Sequence, residues 1–72
     1  MKKVMKAKEV INRLEKVGFI VNRVTGSHYI MYNPITRKTV VVPFHGGRDI
    51  KRPILIDIAF EAGIKRDDFF SS

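Results

Sequence analysis

Two histidines are the side chains here best suited to moving protons near neutral pH, and each sits beside glycine: His28 in Gly26-Ser27-His28-Tyr29, His45 in Phe44-His45-Gly46-Gly47. A neutral imidazole takes a proton and an imidazolium returns one, so two of them permit a general base and a general acid. His28 follows a tight Gly-Ser turn at the edge of an apolar segment. There the backbone approaches a ligand closely and the ring projects from a rigid support. A hydrogen-bonded structural histidine at 28 and a plain turn residue at 45 are the competing readings.

Charge narrows the substrate. Fourteen Lys and Arg stand against seven Asp and Glu in 72 residues, a formal charge of +7; the pI is about 10.2. A field of that sign on so small a surface concentrates polyanions, which makes nucleic acid the leading partner class over an acidic protein or a merely solvated surface. In RNA cleavage by the 2′-hydroxyl, one group removes that proton and another protonates the leaving 5′-oxygen. Negative charge then builds on the phosphate, where a lysine or arginine near the histidine answers it. Arg23, Arg37, Lys38 and Arg48 are the candidates, and Arg23 is singled out because it interrupts an apolar strand close to His28. Tyr29 and Tyr32 are aromatic groups of the kind that stack on unpaired bases.

Other chemistries find little support in the composition. With no Cys there is neither a disulfide framework nor a thiolate zinc site, and no metal or small-molecule cofactor is expected. Gly46-Gly47 lacks the Gly-Lys-Ser/Thr ending of a phosphate-binding loop. The basic start, Met1 to Lys6, leads into no apolar run of secretory type, and the longest apolar runs, Val40 to Val42 and Ile54 to Ile56, are far short of a membrane span. The expectation is a cytoplasmic protein of one domain over 1–72, without a membrane partner.

The elements that must hold these groups read as follows. Ala7, Val10, Ile11, Leu14 and Val17 fall on one stripe of an amphipathic helix from about Lys6 to Val17, with Glu9 and Arg13 paired at i,i+4, and Gly18-Phe19 supplies a left-handed stop. Phe19 to Val24 and Ser27 to Tyr32 form a hairpin. Alternation puts His28, Ile30 and Tyr32 on one face and Ser27, Tyr29 and Met31 on the other, which makes Tyr32 the better stacking group. Asn33 to Lys38 is a turn, Thr39 to Pro43 a third strand, and Phe44 to Asp49 a loop. Pro53 opens a second helix to about Ala62 with Ile54, Leu55, Ile58, Ala59 and Ala62 as its buried stripe. Asp67 and Asp68 begin a last helical turn that tucks a phenylalanine inward. The fold class is α+β: a three-stranded antiparallel sheet, both helices packed on one face and the other face open. An open face bearing Ile30 and Tyr32 beside His28 is a binding surface.

Taken together, the first helix, Gly18-Phe19, Gly26-Ser27-His28, Val42-Pro43-Phe44-His45-Gly46-Gly47 and the ending Ala62-Gly63-Ile64 resemble the HicA toxin family of toxin-antitoxin pairs, over nearly the whole chain. The resemblance implies a double-stranded-RNA-binding-domain-like α-β-β-β-α fold and a ribosome-independent mRNA interferase whose single essential histidine matches His28. It also implies a HicB-type antitoxin that covers the active face. Gly26, Ser27, Arg23, Tyr32, Arg37, Lys38, His45 and Arg48 are then candidates for RNA contact. Two departures stand out. Tyr29 replaces the second histidine that many members carry directly after the first, and Lys51-Arg52-Pro53 replaces the usual Gly-Thr type of cap. A non-catalytic RNA-binding domain is the alternative reading, and a pure protein-interaction module, disfavoured by the charge, is a third.

Overall fold

The structure is a computed structural model and describes residues 4–44 and 47–71. In chain order it runs β1 (Val4–Lys6), α1 (Ala7–Lys16), β2 (Ile20–Thr25), β3 (His28–Asn33), β4 (Lys38–Pro43), β5 (Asp49–Lys51), α2 (Arg52–Ala62) and α3 (Arg66–Phe70). The expected α-β-β-β-α sequence is the body of this order. Among the described residues no helix is long and apolar enough to cross a membrane.

Both long helices stop in the same way. After α1 the Gly18 N–H donates to Glu15 O and the Phe19 N–H to Leu14 O, and after α2 the Gly63 and Ile64 N–H groups donate to Phe60 O and Ala59 O. These are Schellman motifs: a left-handed residue satisfies two otherwise orphaned carbonyls and turns the next apolar side chain back onto the helix. Phe19 is buried by this turn and Ile64 half-buried.

β2, β3 and β4 form an antiparallel sheet with β3 in the middle. Along β3 the inward residues are Tyr29, Met31 and Asn33; on β4 they are Val40 and Val42. Met31, Val40 and Val42 pack with Val10 and Leu14 of α1 and Leu55, Ile58 and Ala59 of α2 in one core. Both helices lie over β4, so the β2 edge overhangs them and Val21 and Val24 keep water contact although they point inward. Three details depart from the sequence reading. Val17 sits in the turn after α1, and Ile54 is on the outer side of α2, so neither joins the core; both are exposed. Asp49, expected in a loop, opens β5.

Two additions complete the molecule. β1 and β5 pair antiparallel, Met5 opposite Ile50, and bury both side chains. Lys6 pins this ribbon, its ammonium 3.1 Å from the Asp49 carboxylate and donating to Gly47 O at 2.8 Å. The last turn, α3, buries both phenylalanines rather than one: Phe69 and Phe70 meet edge to face at 5.5 Å, and the Arg52 guanidinium lies 4.6 Å over the Phe70 ring. Arg13 makes the expected pair with Glu9 at 3.1 Å and also donates to Phe69 O at 2.8 Å and to Ser71 O. One side chain thus ties the first helix to the last.

Asn33 is the buried polar side chain among the described residues, 3 % exposed. Its Nδ2 donates to Val17 O at 3.2 Å, and its Oδ1 accepts from the Ile35 and Thr36 N–H groups at 2.9 and 3.3 Å. It therefore joins the end of α1 to the β3–β4 turn. Gly18 is required beside it, because a Cβ there would stand 3.2 Å from Asn33 Nδ2 on a backbone at φ +102°. Removing these bonds leaves a buried carbonyl and two turn amides without their partner. Asn33→Ala is expected to lose about 1–3 kcal/mol in reversible denaturation, and a loss under about 0.5 kcal/mol would show that the turn does not depend on it.

Candidate functional site

The hairpin that carries His28 is built from a two-residue turn. Thr25 faces His28 across the ladder with Gly26-Ser27 between them, and Gly26 has φ +50° while Ser27 does not share the positive φ. A glycine with positive φ at the first central position is the pattern of a type II′ turn, whose twist matches that of the strands. A Cβ on Gly26 would touch nothing within 4 Å, so glycine serves the backbone conformation there and not space. The Ser27 carbonyl accepts from the Phe44 N–H at 2.6 Å, which binds the hairpin tip to the chain leaving β4. Tyr29 turns inward as expected and meets the Phe44 ring at 5.5 Å and 61°.

Residues opposite one another in a ladder share a face. The outer face therefore has three rungs: Thr25, His28 and Pro43; Arg23, Ile30 and Val41; Ile20, Tyr32 and Thr39. His28, Thr25 and Arg23 are exposed; Ile30, Tyr32 and Pro43 are half-buried. Among the described residues no helix or strand packs over these rungs. An extra residue between Val21 and Arg23 breaks the β2 register, so Ile20 as well as Arg23 faces outward. Without that bulge, Ile20 would turn to the inner side. Arg23 is one rung from His28 and diagonal to it, a Cβ separation of about 7–8 Å for such pairs, which a guanidinium bridges readily.

The candidate residues are not all gathered here. Tyr32 shares the face but stands four residues from His28, about 14 Å along a strand. Lys38 is opposite Asn33 at the far end of β4, about 17 Å from His28, and its ammonium lies 2.7 Å from where a Cβ of Gly63 would be, on the helix layer. Arg37 occupies the same far turn with φ +62°. Neither is close to the histidine, contrary to the expectation from the sequence, because β3 and β4 carry the turn a full strand length away. Arg48 is exposed just ahead of β5. His45 lies outside the described residues. Thr25 and Pro43 flank His28 and were not anticipated, although the two-residue turn alone fixes Thr25 as its partner.

Chemically, an imidazole exposed at a strand end can exchange protons with whatever is bound beside it, and a guanidinium one rung away can offset negative charge there. Among the described residues no three His, Cys, Asp or Glu side chains come together to hold a metal ion.

No curated protein matches the chain. A family model, described as the HicA toxin of bacterial toxin-antitoxin systems, matches residues 7–64. The matched span takes in α1, the whole three-stranded sheet, β5 and α2, and leaves out β1 and α3. It covers well over half of the sequence and every element that builds the open face, and the chain belongs to the HicA toxin family, the toxin member of a pair whose other member is its antitoxin.

Proposed function

We propose that this toxin is an mRNA endoribonuclease in which His28 is the catalytic residue, acting on RNA laid across the open sheet face in the cytoplasm. The observation that carries this reading is the outer face itself: an exposed His28 and Arg23 are diagonal neighbours on an uncovered, partly apolar surface of a chain with formal charge +7.

In the reaction, the imidazole takes the proton of a 2′-hydroxyl as that oxygen attacks the adjacent phosphorus, the bond from phosphorus to the 5′-oxygen breaks, and the leaving oxygen gains a proton. The products are a 2′,3′-cyclic phosphate and a 5′-hydroxyl end. His28 serves as the base or, once protonated, as the acid. Arg23 answers the charge that builds on the non-bridging oxygens, a role that needs no metal ion. Gly26 and Ser27 let the RNA backbone come close to the imidazole, and Tyr32 offers a ring to a base further along. Arg37 and Arg48 hold outlying phosphates, whereas Lys38, whose ammonium lies on the helix layer, does not face this RNA. Because Tyr29 packs inward in place of a second histidine, His28 is the one imidazole that the described residues offer for proton traffic on this face.

A HicB-type antitoxin neutralises the toxin by covering the same rungs. Ile20, Ile30, Val41 and Tyr32 give a protein partner apolar contact that RNA alone does not require.

Two measurements test this. His28→Ala is expected to reduce cleavage of a synthetic mRNA by about 10²–10⁴-fold, equally with and without EDTA, while the thermal midpoint and the RNA dissociation constant stay close to those of the parent. Undiminished cleavage rules out His28 as the catalytic group, and RNA left intact by the parent protein favours the non-catalytic binding domain. Arg23→Ala is expected to lower the slope of log affinity against log salt for single-stranded RNA by about 0.7, the contribution of one phosphate contact. An unchanged slope would remove Arg23 from the phosphate site.

A further inference from the structure

We propose that the outer side of α2, around Phe60, is a two-fold contact between two copies of this chain. Phe60 is 83 % exposed in the last turns of a helix whose other side is fully packed. A single exposed ring is ordinary on a monomer, but this one stands on a rigid helix beside Ile56 and Ile64, so that covering it removes a shared apolar area from water. It is also no part of the open sheet face, since α2 belongs to the helix layer on the other side of the sheet.

The surroundings of the ring say what fits. Phe60 stands between two shallow grooves that share Ile64, and Ile56 lines one of them. A protruding ring beside an apolar groove is what an isologous contact needs, because the same patch then supplies both the knob and the hole. The charges are self-complementary as well. One groove is rimmed by Asp57 and Arg66, the other by Glu61, Lys65 and Lys38. Among the described residues none of these five has an ion pair within its own chain. Asp57 precedes the ring by almost one turn, and Lys65 and Arg66 lie beyond the helix end. Antiparallel pairing about Phe60 sets Ile56 against Ile64 of the second copy and brings Asp57 toward the second copy's basic end. A parallel arrangement would face like charges.

The +7 on each copy opposes association. At physiological ionic strength that repulsion is screened beyond about 8 Å, whereas contacts inside the patch are not. The dimer is therefore expected to be weak and visible only at high protein concentration.

Sedimentation equilibrium on the full chain at physiological ionic strength, up to about 1 mM protein, measures it. The mass is expected to rise from 8.3 kDa toward twice that value. Phe60→Ser, at a site too exposed to threaten the fold, is expected to weaken association at least tenfold with an unchanged thermal midpoint. Asp57→Lys weakens it too, and adding Arg66→Asp to that variant restores it. A parent protein that stays monomeric throughout, or a dimer that Phe60→Ser leaves as strong as before, overturns the proposal. Neither result bears on the RNA chemistry of His28.

Discussion

β3 is hydrogen-bonded on both sides, and its side chains have only two directions available. Because consecutive residues alternate, the burial of Met31 and Asn33 on the inner side forces His28, Ile30 and Tyr32 outward. The strand cannot slip by one residue without carrying Met31 into water and His28 into the core, a change the packing against α1 and α2 opposes strongly. Asn33 closes the far end by gripping Val17 O and the turn amides, while the type II′ turn fixes the near end. The position of His28 is thus a consequence of the core and of the turn that precedes it.

The rest of the molecule keeps that strand rigid. Small domains have little core to spare, and this one extends its core with two segments, β1 and α3, that lie outside the residues matched by the family. β1 brings in Met5 opposite Ile50 of β5, and α3 brings in Phe69 and Phe70 under the hold of Arg13 and Arg52. All of this packing is on the helix side. What it leaves uncovered on the other side is the three-rung face, so the proposed RNA surface lies on the side of the sheet opposite the packing that stabilises it.

Much of this was legible in the sequence, for identifiable reasons. The helical stripe of Val10 and Leu14, the two glycine-then-apolar stops, and the alternation through β3 are strong local signals, and each leads to the right element and face. The inward turn of Tyr29 follows from the same parity. What could not be read depends on long-range pairing. Three-residue strands such as β1 and β5 carry no periodicity, and their partners are more than forty residues apart. The bulge that turns Ile20 outward leaves no mark in the β-branched run of β2. Ile54 and Val17 look like core by spacing, yet one lies on the outer side of its helix and the other beyond the end of its helix. Lys38 seemed a neighbour of His28 only while the length of β3 and β4 was not counted.

The central claim is that RNA lies on the outer face with a base of the proton relay at His28. Titrating an RNA with 2′-O-methyl groups, which lacks the attacking hydroxyl and so cannot be cut, into isotope-labelled protein reports the contact residue by residue. The expected result is that resonances of Arg23, Thr25, His28, Ile30 and Tyr32 shift together, while those of α1 and α2 stay in place. Shifts confined to the helix layer, with the His28 ring and its rung neighbours unmoved, would contradict it.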